Sequence, residues 1–228
     1  MLPAVLPWWS GRDCHDDSVT TAATPKGERR RQALVESAAE LILEGGIDAV
    51  RHRAVANRAG LPLASTTYYF ESLDELVVCA FQHNSCRELE EMRARVEEVT
   101  PCRRSLESTA ELIIDLLVGP RGVGELEREQ LISRYERCVA TARHTELRDV
   151  QLHARRIVDE LLTDLLERCG RTVDPTQIRR LVAAVDGAVL GALGELDPDP
   201  RGLARGLLLD VVGSVAPPAD TDPVSPDP

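Results

Sequence analysis

Apolar residues recur at helical spacing through most of this chain. Leu34, Ala38, Leu41 and Ile42 fall at i, i+4, i+7 and i+8, one face of a helix that Gly45-Gly46 should end. A short helix follows over about Arg51–Arg58, closed by Gly60. Another begins near Pro62, a residue tolerated in a first helical turn, and runs to about Tyr69. Ser72-Leu73-Asp74-Glu75 has the form of a capping box and opens a long helix through Leu76, Val77, Ala80 and Phe81 toward Val99. Thr100-Pro101, Asp174-Pro175 and Asp199-Pro200 each pair a capping residue with a proline suited to the first helical position. The last of these starts a helix that ends near Val215. No stretch alternates apolar and polar residues as a half-buried strand does. The pattern predicts an all-α protein.

Composition narrows this picture. Aromatic residues make up 3% of the chain, so the core must come from Leu, Val, Ile and Ala, which suits packed helices. A length of 228 residues fits one or two modest domains. Residues 1–25 mix Pro, Gly, Ser, Thr and Asp without periodicity and read as a flexible extension; residues 216–228, ending PPADTDPVSPDP, read as a disordered tail. The net charge of −11 is unevenly spread: residues 26–58 carry seven basic and five acidic side chains, a net of +2. A locally basic front on an acidic body confines attraction for DNA to one place, although so small a surplus is weak support by itself. The six cysteines show neither a CxxC pair nor the spacing of a small disulfide framework, as expected of a reduced, cytoplasmic protein. The opening MLPAVLPWW has two prolines and no basic segment, unlike a signal peptide, and the apolar run Leu181–Leu196 is interrupted by Asp186 and too short for a membrane span.

The segment Arg51–Phe70, RHRAVANRAGLPLASTTYYF, carries the chemistry. Two short helices about a glycine turn are the layout of a helix-turn-helix, whose second helix enters the DNA major groove. Arg51, His52 and Arg53 would start the helix that crosses the backbone. Leu63, Ala64, Ser65 and Thr67 would face base edges, and the hydroxyls of Tyr68 and Tyr69 would reach phosphate. Ala54, Val55, Ala59 and Phe70 are expected to pack beneath. Arg29, Arg30 and Arg31 are either an ordinary solvated helix start or further phosphate contacts, and Arg58 is solvated or salt-bridged. No Ser/His/Asp grouping, phosphate loop or paired carboxylate stands at a catalytic spacing, so no enzymatic activity and no cofactor are expected.

From Leu34 to Phe81 the chain resembles the N-terminal domain of the TetR family of bacterial one-component repressors. The resemblance rests on Gly45-Gly46-Ile47-Asp48-Ala49, Val55-Ala56-Asn57-Arg58-Ala59-Gly60-Leu61, Tyr68-Tyr69-Phe70 and Ser72-Leu73-Asp74-Glu75-Leu76, in order and without gaps. It implies a three-helix DNA-binding domain at residues 26–71 and a helical regulatory and dimerisation domain at 72–215. It further implies a homodimer on roughly palindromic double-stranded DNA, released by a small-molecule effector. Three positions depart from the family: Leu63-Ala64 where Lys-Gly is frequent, Thr67 where an aromatic is usual, and Val50-Arg51 where Ser or Thr often caps the second helix, leaving Asp48 as the expected cap. These departures bear on which DNA is read, with Arg51 and Arg53 as compensating phosphate contacts.

For the regulatory domain the expectations are looser. Asp115, Arg134, Tyr135 and Asp186 interrupt apolar helical stretches and are candidates to line an effector pocket, with a core or interface role as the alternative. Helices at about Glu146–Cys169 and Asp174–Leu196 are candidates for the dimer interface. Gly187, Gly191 and Gly194 in the second cost helix propensity that close approach of another helix would offset, whether from a second subunit or from the same chain. Cys79, His83 and Cys86 share one helical face and raise a metal- or thiol-responsive alternative, against buried cysteines acting as small hydrophobes.

Overall fold

The computed structural model describes residues 24–119 and 125–219. The expected N-terminal extension, apart from Thr24 and Pro25, and the part of the expected tail from 220 onward lie outside the described residues. Among the described residues there are nine α-helices: α1 (Pro25–Gly45), α2 (His52–Ala59), α3 (Ala64–Tyr69), α4 (Leu73–Glu97), α5 (Leu106–Leu117), α6 (Glu125–Thr141), α7 (Arg148–Arg168), α8 (Pro175–Gly194) and α9 (Pro200–Val215). No strand occurs among them; one isolated bridge joins Arg171 and Pro218. The fold is all-α.

The chain divides into two compact units, one up to Ala80 and one from Phe81 on, so that α4 begins in the first and continues in the second. In the first unit α1 starts at a Thr24 cap that accepts the Gly27 N–H, with Pro25 in the first turn. It ends at Gly46, whose φ of 70° is the left-handed region that favours glycine. Leu34, Val35, Ala38 and Ile42 of α1 are buried, as are Val55, Phe70 and Leu76, and α1 packs on α2. At the head of α4, Ser72 Oγ accepts the Glu75 N–H at 3.0 Å, while Glu75 returns its carboxylate to the Glu71 N–H at 2.7 Å, one residue before the position a standard capping box would use.

In the second unit α8 packs most extensively on α9, and α5 lies against both α9 and α7. The core is aliphatic, with Ile113, Ile114, Leu162, Leu166, Val185, Val189, Leu208 and Val212 fully enclosed. Asp174 and Asp199 cap α8 and α9 through the N–H groups of Thr176 and Gly202, each at 2.8 Å. The expected helix start at Thr100-Pro101 is replaced by Ser105, which accepts the Ser108 N–H at 3.2 Å. The reason is tertiary: the Cys102 N–H donates to the Arg168 carbonyl and the Arg104 N–H to the Cys169 carbonyl, holding this segment against the end of α7.

Two further expectations are corrected here. Residues 216–219 belong to the fold and not to a loose tail. Buried Arg171 donates to Thr109 Oγ1 at 3.2 Å and to the Ala216 carbonyl at 2.9 Å, and Thr172 and Ala219 exchange backbone bonds with Pro217 and Gly170. Asp115, a candidate pocket residue, is instead the ion-pair partner of Arg201, a side chain 6% exposed that also donates to the Gly119 carbonyl. A guanidinium so enclosed requires that counter-charge.

Candidate functional site

The reading head is built by α2, a turn at Gly60 and α3. Gly60 takes φ 64° and ψ 29°, and its N–H and that of Leu61 return to the carbonyls of Asn57 and Ala56, a Schellman motif that closes α2. Contrary to expectation, Asp48 does not cap α2: it sits in the 3₁₀ turn Ile47–Ala49, and Arg51 is the extended residue before α2, with no side-chain cap. The first-turn N–H groups of α2 thus have no side-chain cap beside exposed Arg51 and Arg53. Such a terminus favours phosphate oxygens. α3 is shorter than expected, starting at Ala64 rather than Pro62, with Leu63 as its N-cap and no side-chain bond there.

A buried polar link joins the two helices. Thr66, fully enclosed, donates its hydroxyl to the Leu63 carbonyl at 2.8 Å, and His52 Nδ1 lies 3.0 Å from the same hydroxyl. Since the one hydroxyl proton is used on Leu63, Nδ1 is the donor to Thr66. His52 is therefore turned toward α3 through Nδ1. Thr66 is the member of the site that sequence reasoning missed, because the pattern around it shows only a polar residue amid other polar residues.

Leu63, Ala64, Thr67 and Tyr68 are exposed, while Ser65 and Tyr69 are half-buried. The Thr67 hydroxyl donates back to the Ala64 carbonyl at 3.3 Å. Tyr68 is 57% exposed and meets Tyr69 edge-on, ring centroids 4.9 Å apart. Behind them Phe70 is buried, with the Arg31 guanidinium 5.0 Å over its ring and donating onward to Cys79 Sγ at 3.5 Å. Arg31 is thereby committed to the interior, and Arg29 Nε to the Pro25 carbonyl. Arg58 makes a two-pronged bond to Glu44 at 2.6 and 2.7 Å, which holds the Glu44 carboxyl below its usual range.

The second unit contains a cavity of about 150 Å³ walled by α4 to α8. Arg134, Tyr135 and Asp186 all line it; Asp115 does not. The Tyr135 hydroxyl donates to Asp186 Oδ1 at 3.1 Å, and burial, then the Asp186 charge, raise its pKa, so it stays a proton donor. Glu88, Arg137 and Arg155 also line the cavity. Glu88 and Arg137 escaped the sequence reading because their pairing is between helices far apart in the chain, whereas Arg155 pairs within α7, with Asp159.

Gly187, Gly191 and Gly194 lie on an exposed face of α8, where a Cβ added to any of them meets nothing within 4 Å. Among the described residues, no helix of the same chain therefore explains their spacing. Leu190 is 51% exposed on this face, and α9 presents Leu203, Gly206 and Gly213. The unpartnered glycines thus sit on α8 and α9, and α7, which corresponds to the expected Glu146–Cys169 helix, carries none. Of the cysteine set, Cys79 is buried beside Arg31, and burial followed by Glu90 pushes the Cys86 thiol up, away from the thiolate a metal needs. Among the described residues no group of three or more metal-ligating side chains forms. No helix among them is long and apolar enough to cross a membrane.

Comparison with known proteins bears on both units. The family model described as "Tetracyclin repressor-like, C-terminal domain" matches residues 104–214. The chain is similar to the HTH-type transcriptional regulator PksA of Bacillus subtilis (strain 168), 26% identical over 175 residues that make up 75% of this chain and 81% of that one. It is also similar to the multidrug binding protein EbrR, in its crystal structure with imidazole, at 30% identity and TM-score 0.60, covering 79% of this chain and 93% of that one. A TetR transcription regulator from Haloarcula marismortui ATCC 43049 shares the fold at 16% identity and TM-score 0.63, over 83% of this chain and 99% of that one.

Proposed function

Because the chain belongs to the TetR family of DNA-binding transcriptional regulators, we propose that it acts in the cytoplasm as a homodimeric repressor. Two reading heads hold a roughly palindromic operator, and a small-molecule effector releases it. The observation that carries this reading is the head itself. α2, α3 and the residues that bound them spend Val55, Ala56, Thr66 and Phe70 on packing and leave Arg51, Arg53, Leu63, Ala64, Thr67 and Tyr68 exposed. Arg51, Arg53 and the α2 terminus grip phosphate; Leu63 and Ala64 meet base edges. The exposed glycine face of α8 and α9 supports a second copy as partner, since small residues permit close helix approach. The cavity beside Tyr135 and Asp186 supports an effector site, as does the likeness to EbrR, a multidrug binding protein seen with imidazole and with proflavin. An effector that favours a dimer with unsuitable head spacing lowers operator affinity by population shift.

Selection of genomic fragments bound by the purified chain tests this reading. An inverted repeat occupied by two chains supports it; a pool with no shared sequence contradicts it.

Tyr68→Phe should weaken binding to all operator variants alike, several-fold, because a phosphate hydrogen bond carries no sequence information. Leu63→Ala should instead change the ranking of variants. An exposed aliphatic side chain at a base edge has one apolar target there, the thymine methyl. Ser65→Ala and Thr67→Ala should also act on preference, though more weakly, because Ser65 is half-buried and the Thr67 hydroxyl is turned back onto its own helix. Competition binding across single-base operator variants separates the two patterns. A change of ranking by Tyr68→Phe, or a uniform loss with Leu63→Ala, would reverse the division of labour.

A further inference from the structure

Resting on the reading of α8 and α9 as the face that takes a second copy of this chain, we propose that Asp210 of each copy pairs with Arg179 and Arg180 of the other. These two reciprocal contacts fix the register of the dimer. Followed back from Gly187, the exposed stripe of small residues on α8 passes Ala183 and ends at Arg179 and Arg180. On α9 the exposed stripe is Leu203, Gly206, Asp210 and Gly213, so one carboxylate interrupts it. The other charged side chains of α9, Arg201 and Arg205, pair with Asp115 and Glu111 of α5. Asp210 differs. Among the described residues the side chains of Asp210 and Arg179 have no hydrogen-bonding or ionic partner, and Arg180 donates to the Gln177 side chain at 3.1 Å.

Helix geometry places these charges where a second copy can match them. Five residues, 195–199, join α8 to α9, and the two helices pack extensively, which makes them an antiparallel pair. At about 1.5 Å of rise per residue, Asp210 lies about 15 Å from the connection, and Arg179 and Arg180 about 21–22 Å. That offset is little more than one helical turn, within the reach of an arginine side chain. A two-fold axis parallel to the helices lays α8 of one copy on α9 of the other at equal height, and both charge pairs close. A two-fold axis across the helices instead sets α9 on α9 with heights reversed. Asp210 would then face the Leu203 end of the second copy, among small and apolar residues without a counter-charge. Removing a carboxylate from water in that way is unfavourable, so the charges select the first arrangement.

Charge reversal tests the pairing, because a two-fold contact repeats each change. Asp210→Arg alone sets like charges together twice, and so does the double variant Arg179→Glu with Arg180→Glu. Mixing the two variants restores opposite charges at both contacts. Sedimentation velocity of the full chain should show a wild-type dimer and a dimer dissociation constant raised about a hundredfold in each variant alone. The equimolar mixture should return to within about tenfold of wild type, as a dimer of one copy of each kind. All three side chains are exposed in the single chain, so circular dichroism should show the same helix content throughout. Rescue on mixing separates charge pairing from a damaged face, which no second variant would repair. Variants that dimerise as tightly as wild type, or a mixture that stays monomeric, would overturn the pairing and leave the homodimer standing. A monomeric wild-type chain would remove the homodimer reading itself.

Discussion

Phe70→Ala should abolish operator binding by unfolding the reading head. Phe70 is 2% exposed and follows α3 directly, its N–H bonded to the Thr66 carbonyl and its ring covered by the Arg31 guanidinium. Truncating such a ring in a packed core costs about 3–5 kcal/mol. Whole domains are stable by only about 5–15 kcal/mol, and a unit of this size has a small core with which to compensate. The same substitution leaves Arg31 without its aromatic face, close to buried Cys79. Circular dichroism melting should show an early transition from the first unit, while the second unit, which has its own aliphatic core, keeps its helix signal. Phe70→Leu, which retains most of the volume, should preserve folding and most of the affinity. Unchanged melting and unchanged operator affinity in Phe70→Ala would show that α3 is held by something other than this ring.

Gly191→Glu should separate the proposed dimer into monomers of 25.0 kDa and lower operator affinity by about 10²–10⁴-fold. Within one subunit there is room for the new side chain, since a Cβ at Gly191 meets nothing within 4 Å. Replacing a helical glycine should also favour the helix, by about 0.5–1 kcal/mol. Against a second copy the same side chain would place a charge in the middle of a small-residue contact, with no partner in reach. The fold and the association state thus respond in opposite directions, which makes the result easy to read. Sedimentation velocity gives the association state, circular dichroism the fold and fluorescence anisotropy the affinity. A dimer that persists with full operator affinity would place the interface elsewhere.

The parts of this molecule that can be read from the sequence are those that rest on contacts within a turn or two. The Asp174 and Asp199 caps, the Gly46 and Gly60 closures and the order Val55, Gly60, Tyr68, Phe70 are all local, and each element they mark is present. Sequence fails where a distant backbone or side chain overrides a local signal. Thr100-Pro101 has the look of a helix start, but bonds to the carbonyls of Arg168 and Cys169 delay α5 to Leu106. Asp115 looks like a pocket residue until Arg201 is brought to it, and the bond between His52 and Thr66 likewise joins two helices that the local pattern leaves unrelated. Glu88 with Arg134 and Arg137 follows the same logic, since helix packing alone brings α4 and α6 together there. The glycines of α8 are the converse case: their spacing signals a close approach, and none is present among the described residues.

The central claim, that Arg51–Phe70 reads a particular DNA sequence, is tested most directly by fluorescence anisotropy with the purified full chain at moderate salt. The duplex from its own promoter is compared with a scrambled duplex of equal length and composition. The account predicts a preference of at least about 10³-fold for the promoter duplex, with two chains bound per site. Equal affinity for the two duplexes would contradict it.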